Sequence, residues 1–290
     1  MTKSIFISAT LYSYRNKDLK SSAISLLENT HNDMFLVIID QHPLDRSHWF
    51  KDYDNVHYRH VFWDHIYSPI SYKESHVGKD KDLGQYSLFI SDDTVVSKDW
   101  DLKCLELLSN NDNAVISGQG QSKVAQKDKY FLQRFDTPSA DFTLAQYVDR
   151  NFLFGPNRIL ADLRFPSELK YYGEEEFMSL DLFTKGHDIY SAPTGTYQDL
   201  NVRTLENIYV AFSTEHFYNN FINTLYGRID SEVFSNRPRS ISDFISYHEI
   251  ELEKLRPLPH QQDDVLYDPN VMEIQNAGGE RFVATTKMII

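Results

Sequence analysis

A single cysteine, Cys104, stands in a chain of 290 residues. No disulfide can close within the chain, so a disulfide-stapled scaffold is excluded and a reducing compartment is predicted. The thiol falls in Trp100-Asp101-Leu102-Lys103-Cys104-Leu105, a helical stretch with nothing to lower its pKa, which argues against a catalytic role. Positive charge is also scarce. Lys and Arg number 29 against 42 Asp and Glu, a net charge of −13. Non-specific adhesion to nucleic acid or anionic lipid needs a basic surface and is disfavoured. Acids gathered around a divalent cation are compatible with this balance. No apolar run approaches the roughly 20 residues of a membrane span. The start, Met1 to Thr10, lacks a signal-peptide pattern. A protein of the cytoplasm is therefore predicted, the host's if the source is viral, with no membrane partner. Missing too are Gly-x-Gly-x-x-Gly, the phosphate-loop pattern and Gly-x-Ser-x-Gly. His57, His60, His65 and His76 form no zinc motif.

What is present is enough apolar residue, 41%, for a large core. The 18 Tyr and 19 Phe serve that core or wall a site that stacks on sugars or bases. Ile5 to Ala9, Met34 to Asp40, Val56 to Val61, Tyr86 to Ile90, Ala114 to Gly118 and Asn151 to Gly155 read as buried strands. Leu19 to Asn29, Trp100 to Ser109 and Gly173 to Lys185 read as helices. This alternation predicts an α/β domain with a mainly parallel sheet flanked by helices. After about residue 204 the pattern changes. Leu205 to Tyr226 and Ile241 to Leu255 have helical spacing, and Arg281 to Thr285 one strand. The domains expected are 1–204, catalytic, and 205–290, a mainly helical extension.

Three segments carry chemistry. Leu88-Phe89-Ile90-Ser91-Asp92-Asp93-Thr94 puts two acids at the end of a hydrophobic strand, where open α/β sheets bind ligands. Hard oxygens there suit Mg²⁺ or Mn²⁺ on a diphosphate; an Asp-Asp turn capping the next segment is the plain alternative. Gly173-Glu174-Glu175-Glu176 opens a helix with acids that serve catalysis or simply complement its dipole. Ser8-Ala9-Thr10 with Tyr14 and Arg15 follows the first strand, either gripping a nucleotide or making an ordinary turn.

Taken in order, these segments resemble the GT-A family of polypeptide N-acetylglucosaminyltransferases that act on hydroxyproline of a cytoplasmic ubiquitin-ligase subunit, with their bacterial and viral relatives. The family opens with a strand and Ser-Tyr-Arg, here Ser13-Tyr14-Arg15. Its Gly-Pro-x-x-Ala-Arg segment is similar to Ser68-Pro69-Ile70-Ser71-Tyr72-Lys73. Its Asp-Ser-His metal motif followed by Trp-Asp matches Ser91-Asp92-Asp93 and Trp100-Asp101. Its Phe-x-Gly-Glu-Glu block is similar to Tyr172 through Asp188, leading to Ser191-Ala192-Pro193. The likeness spans about residues 4 to 200. It implies a Rossmann-like GT-A fold and metal-dependent transfer from a UDP-sugar with retention. Asp93 is then a metal ligand. A family histidine due after Pro193 is replaced within Tyr197-Gln198-Asp199, which makes Asp199 the second ligand. Ser8, Thr10, Tyr14, Arg15, Lys73, Ser91 and Asp92 become donor-binding residues, and Glu174 and Glu175 the catalytic pair. Lys73 stands where the family has Arg and Ser91 where it has Asp, so the sugar is left open.

Two macromolecular hydroxyl acceptors are compatible with this reading: a protein hydroxyl, or a hydroxymethylated pyrimidine of phage DNA. For DNA, Arg228, Arg237, Arg239, Lys254 and Arg256 would supply charge and Phe234, Phe244 and Tyr247 stacking; otherwise they belong to a helical cap on the catalytic domain. A different class is a nucleotide-sugar binder or interaction protein that keeps the fold without catalysis, motivated by Ser91 and the missing histidine.

Overall fold

The computed structural model describes residues 5–13, 18–40, 42, 44–61, 84–118, 139–145, 147–149, 151–163, 174–200, 224–225, 234–248, 250, 271–275 and 281–285. It forms two units, Met1–Pro257 and Leu258–Ile290. In the first, the strands are β1 (Phe6–Ser13), β2 (Asp33–Asp40), β3 (Val56–His60), β4 (Tyr86–Ser91), β5 (Thr94–Val96), β6 (Ala114–Ser117), β7 (Thr143–Leu144), β8 (Phe152–Pro156), β9 (Asp188–Ser191) and β10 (Tyr197–Asp199). Its helices are α1 (Leu19–Asn29), α2 (Trp100–Asn110), α3 (Asn157–Leu160), α4 (Glu174–Thr184) and α5 (Ile241–Tyr247). The second unit holds an antiparallel pair, β11 (Val271–Gln275) with β12 (Arg281–Thr285).

Eight strands make one sheet in the order β3-β2-β1-β4-β8-β6-β9-β7, and β5 pairs with β10 in a separate ribbon. Side chains alternate across each strand, so the sheet has two apolar faces. Ile7, Ala9 and Leu11 of β1, Leu36 and Ile38 of β2, Leu88 and Ile90 of β4, and Phe152 and Phe154 of β8 lie on one face. There they meet Leu19, Ala23 and Leu26 of α1 and Trp100, Cys104 and Leu108 of α2. The intervening residues Phe89, Val115 and Leu153 face the other way, onto Ile159, Leu160, Met178 and Leu182 of α3 and α4. Helix α1 buries Leu19, Ser22, Ala23 and Leu26, one stripe at helical spacing. Helix α4 stops at Gly186, whose φ of +87° needs a residue without a side chain.

The sheet is α/β as expected, and four of its seven pairings are parallel. Strand β8 runs antiparallel between β4 and β6. A strand buried on both faces reads as the same apolar run in either direction, so its sense is invisible in the sequence. Strand β1 reaches Ser13, further than its apolar core, because its register with β2 continues to Asp40. Of the stretches with helical spacing after 204, Leu205 to Tyr226 lies outside the described residues except at 224–225. The second forms α5 over Ile241–Tyr247, opened by a reciprocal pair of hydrogen bonds between Ser240 and Asp243.

Candidate functional site

The C-terminal ends of β1, β2 and β4 lie side by side: Ser13 pairs with Asp40, and Tyr12 with Ser91. The turn after β4 is tied into this edge. Asp92 donates its N–H to Tyr12 O at 3.1 Å, and its carbonyl accepts from Ser22 Oγ of α1 at 2.8 Å. Its carboxylate Oδ2 accepts from Ser13 Oγ at 2.7 Å. Ser13 Oγ in turn accepts from Arg46 Nη2 at 2.8 Å. Arg46 grips Asp40 with Nε at 2.8 Å and Nη2 at 2.6 Å, and Tyr58 Oη adds a bond at 2.6 Å. Burial alone would raise the Asp40 carboxyl, but the bonds from Arg46 and Tyr58 outweigh it and hold it below its ordinary value. The same burial, with the Asp40 bond, pushes the Tyr58 phenol up.

Ser91 and Asp93 face a different neighbourhood. The Ser91 hydroxyl donates to Asp93 Oδ1 and lies 3.1 Å from Thr94 Oγ1. Asp93 is buried at 4% exposure. Directly beyond it, β5 pairs with β10 so that Asp199 stands opposite Thr94. The N–H of Leu200 donates to Asp93 O at 2.6 Å. The two expected metal ligands are distant in sequence, and this ribbon brings their backbones together.

Helix α4 approaches from the other side of β4. Asp188 donates its N–H to Asn113 O at the start of β6, which fixes the C-terminus of α4 at the opposite sheet edge. Eleven residues of α4 span about 16 Å, from Glu174 to Thr184. Ser179 Oγ accepts from Val148 N at 2.9 Å, and Ser117 Oγ accepts from Asp149 N at 2.6 Å. Glu174 opens the helix, and Glu175 lies one turn before Ser179, whose hydroxyl donates to the Glu175 carbonyl.

Of the residues singled out from the sequence, Ser91, Asp92, Asp93 and the backbone of Asp199 gather at one edge. Ser8 and Thr10 are buried inside β1, between β2 and β4. Tyr14, Arg15 and Lys73 lie outside the described residues. Sequence reasoning passed over Asp40, Arg46 and Asp149. The signal for Asp40 was a strand ending in an acid. Asp149 left no pattern: it is buried at 5% exposure, and a bond from Asn151 N at 2.9 Å holds its Oδ1 beside the end of β6.

Among the described residues, no three His, Cys, Asp or Glu are grouped as a metal cage. The buried Asp93 carboxylate is the donor chemistry of a hard divalent cation of the Mg²⁺ type, which needs only one or two protein carboxylates and is otherwise held by water and substrate phosphates. No helix among the described residues is long and apolar enough to cross a membrane.

No protein-family model matches the sequence, and no curated protein matches it. Among solved structures, the chain is similar to the crystal structure of GalNAc-T7 with UDP, GalNAc and Mn²⁺, at a TM-score of 0.58 and 12% identity. The match covers 84% of this chain and 55% of that one, so this chain spans about half its length. At such identity the likeness is one of fold, and the fold is GT-A: a Rossmann-like sheet between two layers of helices.

Proposed function

We propose that the protein is a metal-dependent glycosyltransferase that moves a sugar from a UDP-sugar to a hydroxyl on a macromolecule, with retention at the sugar carbon. One observation carries this reading. The β5–β10 ribbon sets Asp199 opposite Thr94, and Leu200 bonds to Asp93, at the ligand-binding edge of a GT-A sheet. Asp93 and Asp199 would hold Mn²⁺ or Mg²⁺. Such a cation supplies charge neutralisation of the departing diphosphate. The Ser91 hydroxyl orients the Asp93 carboxylate. Asp92, anchored through Ser13, shapes the floor where the nucleotide would lie. Tyr14, Arg15 and Lys73 are assigned to the donor side, and Glu174 and Glu175 to the donor sugar and acceptor hydroxyl; Ser8 and Thr10, enclosed within β1 between β2 and β4, pack the sheet instead. The solved relative's UDP, GalNAc and Mn²⁺ support this class of donor and metal.

A protein hydroxyl is favoured over duplex DNA as the acceptor. Net charge is −13. Arg237 and Arg239, two cations a DNA surface would need, are engaged by Asp181 at 2.8 Å and Asp188 at 2.7 Å. Phe244 is fully buried. These contacts, to α4 through Asp181 and to β9 through Asp188, support the cap reading of the C-terminal segment.

The test is UDP release from a panel of UDP-sugars, with Mn²⁺, with Mg²⁺ and with chelator, followed by mass spectrometry of acceptor proteins. Metal-dependent UDP release that Asp93→Ala removes is the expected result. Release unaffected by both chelator and Asp93→Ala would overturn the assignment.

A further inference from the structure

Strand β10 is only three residues long, and its partner β5 is equally short. A two-stranded ribbon of that size is marginal by itself. It follows Gly195, whose φ of +87° marks a sharp turn in the chain. Something else must hold β10 against β5 and the Asp93 turn, and the side chain of Tyr197 meets that need. Its ring lies flat on Phe152 of β8, with centroids 5.1 Å apart and planes 8° apart. Its hydroxyl reaches the end of β6. A Cβ added to Gly118 would sit 2.7 Å from Tyr197 Oη and 3.0 Å from Asp149 Oδ2. Gly118 is pinned there, donating its N–H to Phe152 O at 2.7 Å. The absence of a side chain at 118 is thus what lets the tyrosine lie down beside Asp149.

We infer that Tyr197 is a positioning residue for the pair of cation ligands. It seats β10 in the notch over Gly118, and that seat sets position 199 against Asp93. The inference rests on the reading of Asp93 and Asp199 as the cation ligands. Tyr197 touches neither donor nor acceptor in this scheme. It acts through the strand that carries Asp199, as outer groups around metal sites do.

The test is a Mn²⁺ titration followed by electron paramagnetic resonance, with UDP present, on the full chain and its variants. Thermal melting in chelator reports folding separately. Gly118→Ala should weaken Mn²⁺ binding by about 10-fold or more. Tyr197→Phe, which keeps the stack on Phe152, should stay within about threefold of wild type by the same logic. The double variant Gly118→Ala with Tyr197→Phe should recover part of the lost affinity, because the closest clash is gone while Asp149 Oδ2 at 3.0 Å and the ring carbon Cζ at 3.1 Å remain. Tyr197→Leu should weaken Mn²⁺ binding as Gly118→Ala does. Suppose Asp93→Ala abolishes binding while Gly118→Ala and Tyr197→Leu fold and bind like wild type. The latch is then overturned and the cation reading stands. Loss in Gly118→Ala without recovery in the double variant also overturns it. If Gly118→Ala does not fold, Tyr197→Leu decides alone. A wild-type chain that binds no Mn²⁺ with UDP overturns both the latch and the cation reading.

Discussion

Among the described residues, carboxylates at two places have different neighbours, and the difference is instructive. Beside α5, Asp181 of α4 and Asp188 at the start of β9 each meet a cation. Asp181 contacts Lys185 Nζ at 2.8 Å and Arg237 Nη1 at 2.8 Å, and Asp188 contacts Arg239 Nη2 at 2.7 Å. The Arg239 guanidinium also lies 4.9 Å from the Phe183 ring centroid. At the end of β4, Asp93 meets a hydroxyl, and the strand carrying a second acid is laid beside it. Acids answered by guanidinium are fasteners. Acids collected by backbone pairing at the ligand edge of a sheet are suited to a cation that comes and goes with its substrate. Residue type alone does not distinguish these jobs; the neighbour does.

Breaking the cation site should have the largest effect on activity and little on folding. Asp93→Ala is expected to lower metal-dependent UDP-sugar turnover by about a thousandfold, some 4 kcal/mol of transition-state stabilisation. Its melting temperature in chelator should move by less than about 4 °C. The fastener should behave in reverse. Asp181→Ala leaves Arg237 and Lys185 partly buried without their shared acid, at a cost of about 3 kcal/mol in chemical denaturation. Mn²⁺ affinity measured well below the melting point should stay near wild type. A variant that unfolded no more easily would remove the contrast.

Acid sharpens the comparison further. His248, at the end of α5, packs on Phe244 at 4.0 Å and Tyr147 at 4.6 Å, and its Nδ1 has no hydrogen-bond partner among the described residues. Burial lowers its pKa from 6.5 to about 4. The unfolded chain takes up a proton below 6.5 and the folded one only near 4. This imidazole's share of stability is therefore complete above pH 6.5 and is lost as pH falls toward 4. Between pH 7 and pH 5 the loss should be about 2 kcal/mol. Urea titrations across that range should show a shallower fall for His248→Phe than for wild type; equal slopes would contradict the assignment. Smallest of all is the exposed pair Arg158–Asp112, 3.7 Å apart with side chains 58% and 93% exposed. Asp112→Ala should change stability by less than about 0.5 kcal/mol in the same titration.

Much of this was legible in the residues. The apolar runs of β1, β2, β4, β6 and β8 and the spaced stripes of α1 and α2 depend on near neighbours in the chain, and they read directly. The resemblance implied the GT-A fold, which the structure has, and named Asp93 and Asp199 as candidate cation ligands. Strands β5, β7, β9 and β10 did not read, since two to four residues are too few for a periodic signal. Arg237, Arg239 and Phe244 were compatible with a nucleic-acid surface as well as with a helical cap, because a sequence shows that a charge exists and not what it touches.

By itself, then, the sequence determined the alternation of strands and helices, the acids at the end of β4, and the excess of negative charge. These follow from local propensity and composition. Only the tertiary structure decided that β8 runs backwards, that Arg46 joins Asp40 to Ser13 and Asp92, and that Tyr197 lies in the notch over Gly118. It alone laid the strand of Asp199 beside Asp93. Those are contacts between segments remote in the chain. They are selected by which packing buries the apolar faces and satisfies the polar groups together, a condition that no local stretch of residues expresses.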